Sequence, residues 1–204
     1  FNSAYYSLSL SGTTLTVGDT NGGNEWNNNN GTYVNWLWKG GSSTVSNTNG
    51  SITSQVRANP SAGFSIVSYT GNYTANTTIG HSLNATPELI ICKCRNSDWW
   101  PVYHKSAGNN KVVYLNEANS QATTSMWSNT SPTSQVFSVG ENDNTNKSNG
   151  NMIAYCFAPV EGYSFFGTYE GNGSTNGSFA YTGFEPTFVL IKCVDSGQHW
   201  HIFD

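Results

Sequence analysis

The 204-residue chain has 8 Lys and Arg against 12 Asp and Glu, a formal net charge of -4, and only 10% of its residues are charged. So few cations leave no electrostatic footprint for nucleic acid or for an anionic membrane surface, and neither is expected as a partner. With 14% aromatic residues the chain falls outside the aromatic-poor class of disordered sequences. Its longest apolar runs, at 89–92 and 188–191, are far below the roughly 18 to 20 residues that cross a bilayer.

No stretch carries helical periodicity over ten or more residues. Short runs of Val, Ile, Tyr, Phe and Trp alternate instead with Asn, Gly and Ser clusters, which predicts an all-β chain. In chain order, residues 14–40 read TLTVGDTNGGNEWNNNNGTYVNWLWKG and end in an aromatic strand. Residues 41–62, rich in Ser, Thr, Asn and Gly, read as a linker or an exposed excursion. Strands are then predicted at 64–69, 88–95, 100–103, 111–116, 135–139 and 151–158, separated by turn formers such as Thr70-Gly71-Asn72 and Ser148-Asn149-Gly150. The strand at 89–94 is apolar on both faces, which places it in the middle of a packed sheet. Pro87 precedes it, where a missing N–H costs little.

From Gly162 the pattern returns. Gly63, Tyr69, Gly71-Asn72, Pro87, Cys94 and Trp100 match Gly162, Tyr169, Gly171-Asn172, Pro186, Cys193 and Trp200 at offsets of 99 or 100. The stretch 135–164 likewise aligns with 14–40, Gly150 matching Gly31, Tyr155 matching Trp36 and Phe157 matching Trp38. The repeat therefore starts inside the chain and is cut at both of its ends. Residues 1–40 read as the back half of a unit, 63–161 as one complete unit of about a hundred residues, and 162–204 as the front half of another. Two antiparallel layers bury such faces most economically, so tandem β-sandwich units, jelly-roll or lectin-like, are expected. A solenoid coil usually repeats over far fewer residues.

The matched positions also predict burial. Ile153, Tyr155 and Phe157, paired with Val34, Trp36 and Trp38, form an aromatic face expected to be core, and Trp100 and Trp200 recur beside Val102 and Ile202 as core residues do. Trp99 is replaced by His199 in the second copy; it is the better candidate for an exposed ring that stacks on a sugar. Cys92 and Cys94 share one face of a strand and cannot bond to each other. Cys94 and Cys193 are expected at equivalent inward positions, and with Cys156 the cysteines read as buried free thiols rather than a disulfide framework.

Turnover chemistry finds no assembled constellation. Glu141 and Asp143 have E-x-D spacing but sit in the loop GENDNTN, not on a strand face where a glycosidase would hold them. His199 and His201 have ligand-like spacing, yet Trp99 and Pro101 occupy the same places in the other copy, so ordinary surface histidines are expected. His81 and His104 lack a nucleophile on a strand-to-helix elbow. No catalytic residue, metal or cofactor is expected.

The runs TYVNWLWKGG, SNTNGSITSQVRANPSAGFSIVSYTGN, TIGHSLNATPELIICK, WPVYH, IAYCFAPVEGYSFFGTYEGNGS and FAYTGFEPTFVLIK resemble a repeat-containing structural protein family of marine bacteriophages, notably those infecting cyanobacteria and Pelagibacter. In that family such segments accompany a concanavalin-A-like lectin domain. The resemblance covers nearly the whole chain from Thr14. It implies a non-enzymatic virion structural protein, a fibre, appendage or decoration component on the extracellular particle surface, with itself and other virion proteins as partners. It also implies that the protein continues past WHIFD, and it supplies no catalytic residues. Relatives are expected to carry more polar residues at Cys92, Cys94 and Cys193. The alternative is a carbohydrate-binding adhesion module that recognises host-surface glycans through Trp99.

Overall fold

The computed structural model describes residues 6–19, 27–96 and 99–204. The chain divides into two units, Phe1–Trp38 and Lys39–Asp204. In the first, β1 (Tyr6–Ser11) and β2 (Thr14–Asp19) pair antiparallel across a two-residue turn. Gly12 opens that turn at φ 57°, a conformation that a tight hairpin demands and a side chain resists. Residues 31–41 form no helix or strand.

The second unit is built on one antiparallel sheet. In chain order it has β3 (Val45–Asn47), β4 (Ser54–Asn59), β5 (Phe64–Thr70), β6 (Thr77–Gly80), β7 (Leu89–Cys94), β8 (Pro101–His104), β9 (Lys111–Tyr114), β10 (Ala122–Thr123) and β11 (Val136–Val139). A single helical turn, α1 (Asp143–Asn146), and β12 (Asn151–Phe157) follow. Eight strands hydrogen-bond in the order β10-β9-β8-β7-β12-β5-β4-β3, while β6 and β11 form a separate ribbon. β12 thus enters between β5 and β7, antiparallel to both.

Alternation along the strands decides what is buried. Val56 on β4, Val67 and Tyr69 on β5, Ile90, Cys92 and Cys94 on β7, and Met152, Ala154 and Cys156 on β12 are all at most 5% exposed. They form one core with Ile79, Phe137 and Val139 of the ribbon and with Leu83, Met126 and Trp127 of the connecting loops. Tyr69 meets Phe137 edge-on at 6.2 Å, and Tyr103 meets Trp127 at 5.8 Å. The result is an all-β, antiparallel sandwich, as the alternating apolar runs predicted. Each strand predicted between 64 and 158 is present, and β7 stands inside the sheet, fully buried on one face and half-buried on the other. The aromatic strand expected to end 14–40 is not: residues 31–41 form no strand, and Val34, Trp36 and Trp38, expected as core like their counterparts on β12, are exposed, since no strand of any sheet pairs with 31–41 among the described residues.

Three further features differ from expectation. Residues 41–62, expected as a linker or an exposed excursion, instead supply β3 and β4. Ser54 turns inward there and its hydroxyl donates to the Gly80 carbonyl at 2.8 Å, so a polar strand is buried without an unpaired group. Arg57 and Gln55 face solvent near the sheet edge, where charge discourages unwanted pairing. The second difference lies on β12. Ile153, Tyr155 and Phe157 are only half-buried, because the ribbon covers the opposite face, and small or flexible Met152, Ala154 and Cys156 fill that side. Phe157 is covered in part by Phe64 at 4.9 Å and Phe166 at 6.3 Å.

The third difference is beyond β12. β13 (Val189–Ile191) and β14 (His201–Phe203) form an antiparallel pair, and residues 165–188 form no strand. Val189 stands opposite Phe203 and Leu190 opposite Ile202; their sequence counterparts, Ile90 with Tyr103 and Ile91 with Val102, face each other in β7 and β8. The register is the same but the burial is not. Cys193, expected to point inward like Cys94, is exposed.

Candidate functional site

Aromatic side chains converge where β9 ends. Tyr114 closes that strand half-buried, and the Trp99 ring meets it edge-on at 4.7 Å. The Trp100 backbone is held by two bonds to the turn that follows β9: its N–H donates to Asn116 Oδ1 at 3.0 Å, and its carbonyl accepts from Leu115 N–H at 2.9 Å. Lys93 Nζ lies 5.5 Å from the centre of the Trp100 ring, within the range of a cation–π attraction. From the other side Trp200 Nε1 donates to the Tyr114 carbonyl at 2.8 Å.

The hairpin β13–β14 is seated beside this group through polar contacts. Gln121 N–H donates to the Val194 carbonyl at 2.8 Å, and Lys192 Nζ donates to the Ala118 carbonyl at 2.9 Å and also to that of Gln198. Burial raises the Tyr114 hydroxyl above its ordinary range, so it stays a neutral donor and acceptor at physiological pH. The arrangement offers aromatic rings rimmed by amide, ammonium and phenol groups. Such a surface suits a neutral, hydroxyl-rich ligand, whose C–H faces pack on rings while its hydroxyls find polar partners.

Trp99, the predicted stacking residue, is 39% exposed at this place. Trp100 and Trp200, expected as equivalent core residues, are both half-buried and meet different partners, Lys93 and Asn116 for one and Tyr114 for the other. The reason lies in their neighbours: the backbone of Trp100 bonds to the turn at 115–116, whereas the Trp200 ring donates to the carbonyl of Tyr114 at the end of β9. Tyr114 itself was not singled out from the sequence, since nothing in KVVYLN separates it from an ordinary edge tyrosine.

The remaining candidates lie apart from the aromatic group. Glu141 and Asp143 are exposed on either side of Asn142, whose side chain caps α1 by accepting from Asn144 N–H at 2.9 Å. His81 is wholly buried. Its Nε2 faces the Thr133 carbonyl at 3.1 Å while Nδ1 accepts from Leu83 N–H at 3.2 Å, which makes it a neutral structural brace. His104 Nδ1 accepts from Ser106 N–H at 3.2 Å, and burial lowers its basicity. His199 and His201 are exposed, and among the described residues no three His, Cys, Asp or Glu side chains are grouped to hold a metal. Cys92, Cys94 and Cys156 are buried free thiols. Burial pushes Cys92 up to about 12, so it is inert as a nucleophile.

Fold and site together define an all-β sandwich protein with an aromatic surface at one end of its main sheet. The chain belongs to the DUF7483 family, a domain of unknown function, whose match runs over residues 2–204. Comparison with curated proteins and with solved structures gave no match.

Proposed function

We propose that this chain is a non-enzymatic structural protein that assembles with itself and with other proteins of a virus particle, as a fibre, appendage or decoration component on the particle surface. The carrying observation is where apolar surface is left open. Among the described residues every exposed large apolar side chain other than Val45, Tyr73 and Trp99 lies at 8–38 or at 163–203. Large apolar side chains exposed in such numbers point to contact with a partner surface. The particle setting rests on the resemblance to phage structural proteins; the self-association rests on the exposed residues. Sedimentation velocity over a dilution series tests it, with concentration-dependent oligomers expected. A chain that stays monomeric up to its solubility limit overturns the reading.

A carbohydrate-binding role is the second reading, favoured by the Trp99, Trp100 and Tyr114 group. On a glycan array the chain is then expected to retain a defined set of sugars. Trp99→Ala lowers that binding at least about tenfold, equivalent to about 1.4 kcal/mol, while unfolding is almost unchanged. An array that stays blank, or binding indifferent to Trp99, removes this reading.

A further inference from the structure

We infer that the outward face of β4, β5, β12 and β7 binds an acidic oligosaccharide, whose carboxylate or sulfate groups are held by Arg57 and Arg95. The site is separate from the aromatic group and goes beyond both readings above. Its floor is made by the side chains that alternate away from the core. The register sets Gln55, Ser68, Ile153 and Lys93 in one row across the four strands, and Arg57, Ile66, Tyr155 and Ile91 in the next. Arg95 follows the buried Cys94 and is exposed, and its backbone N–H donates to the Asn151 carbonyl at 2.9 Å. A groove of about 150 Å³ is lined by Arg57 and Arg95 together with Ile66, Ser68 and Ile153. A second, of about 350 Å³, shares Gln55, Ser68 and Arg95 with it and extends to Thr70 and Asn151.

Charge decides what the groove takes. In a chain of net charge -4, β3, β4, β5, β7 and β12 carry no Asp or Glu, so Arg57, Lys93 and Arg95 set the sign of this face. Among the described residues the one ion pair is Lys105 with Glu88, and neither arginine meets a carboxylate. Arg57 is held by carbonyls instead: Nε donates to Gly41 at 2.6 Å and Nη2 to Ser42 at 3.2 Å. Those bonds fix the guanidinium and leave Nη1 to an incoming oxyanion. The β4 and β7 backbones are three strand spacings apart, about 14 Å; that exceeds one sugar ring, so the ligand is an oligomer. Gln55, Ser68, Thr70 and Asn151 offer donors and acceptors to its hydroxyls. β5 and β12 are each paired on both sides, so an extended peptide finds no open main chain here, and recognition through side chains alone favours a hydroxyl-rich chain over an acidic peptide.

Fluorescently labelled alginate and dextran sulfate oligomers, with neutral dextran as control, test the site by anisotropy. One or both acidic probes are expected to bind, more weakly as salt is added, and neutral dextran is not. Binding of alginate alone assigns carboxylate, and of dextran sulfate alone sulfate ester. Arg95→Gln is expected to weaken binding at least about tenfold with the urea midpoint unchanged. Arg57→Gln should do the same, its midpoint measured alongside because the guanidinium also braces residues 41 and 42. Lys111→Gln, which removes the same charge from β9, and Trp99→Ala, which removes the ring of the aromatic group, should each stay within about twofold. No binding of either acidic probe, binding unmoved by Arg95→Gln, or equal losses from Lys111→Gln or Trp99→Ala overturns the site. Polyglutamate bound as tightly as the acidic sugars overturns the saccharide assignment.

Discussion

Tyr69 and Tyr169 occupy matching places in two stretches of nearly the same pattern, yet Tyr69 is 5% exposed and Tyr169 53%. Val102 and Ile202, at 1% and 42%, repeat the contrast. Local composition is alike in both stretches, and even the pairing register of the last two strands is shared. What differs is the company. The 64–104 stretch is closed by β12 and capped by the β6–β11 ribbon, whereas among the described residues of 163–203 only one two-stranded pair forms. An isolated two-stranded pair is marginal in water, so strand-forming residues become a core only when further strands cover them.

The comparison breaks most strongly at its buried member. Tyr69→Ala removes a packed ring and the hydroxyl that donates to the Thr145 carbonyl at 2.6 Å. It is expected to cost about 3 to 5 kcal/mol in urea unfolding. Tyr169→Ala, measured on dilute chains, stays within about 0.5 kcal/mol. Equal losses would mean that the two stretches are equally packed.

Next come Asn72 and Asn172. Asn72 Oδ1 accepts from Thr74 N–H at 3.0 Å, Thr77 Oγ1 at 2.9 Å and Asn146 Nδ2 at 3.0 Å. Asn146, fully buried, also donates to the Thr74 and Gly140 carbonyls at 3.0 and 3.1 Å. Asn172 Oδ1 keeps the local bond to Ser174 N–H at 3.0 Å. Asn72→Ala strands these partners and should cost about 1 to 3 kcal/mol, against a few tenths for Asn172→Ala. Calorimetry of both variants decides.

The second unit should also respond to acid. Burial holds His81 below its ordinary value of 6.5, so the unfolded chain takes up a proton at a higher pH than the folded one. The associated stability is fully present above about pH 6.5 and is lost progressively as pH falls below that value toward the lower value of the folded state, with a slope of at most about 1.4 kcal/mol per pH unit. His104 is shifted in the same direction by burial. His81→Gln should flatten the urea midpoint between pH 7.5 and about 5; an unchanged slope would assign the acid response elsewhere. The mildest probe leaves stability untouched: in dilute solution a thiol reagent should label Cys193 at once, while Cys92, Cys94 and Cys156 wait for unfolding. Rapid labelling of all four would dissolve the contrast.

Much of the sheet was legible because apolar alternation and turn residues are local signals. The runs at 64–69, 88–95 and 151–158 predicted β5, β7 and β12 within a residue or two. The run SITSQVRAN concealed β4, because its inward residues are Ser54, Val56 and Ala58 and the burial of Ser54 depends on the Gly80 carbonyl, which a linear pattern does not contain. Facing was harder still. Tyr155 and Phe157 look like core by size, but the side that the ribbon covers was decided by topology and favoured Ala154 and Cys156. At the aromatic group, Trp99 stood out through its replacement by His199. Tyr114 did not, since its partners come from residues 99 and 200.

The place of β12 also bears on how the chain comes off the ribosome. The sheet's inner strand is made last, about ninety residues after β5, so β3 to β5 and β7 to β10 emerge as two pieces with open edges and must wait for it. Such distant pairing is slow to form and leaves strand edges open to wrong neighbours meanwhile. A nascent chain halted before residue 151 should therefore remain sensitive to protease and bound by chaperones, and release of the next few residues should close the sheet in one step.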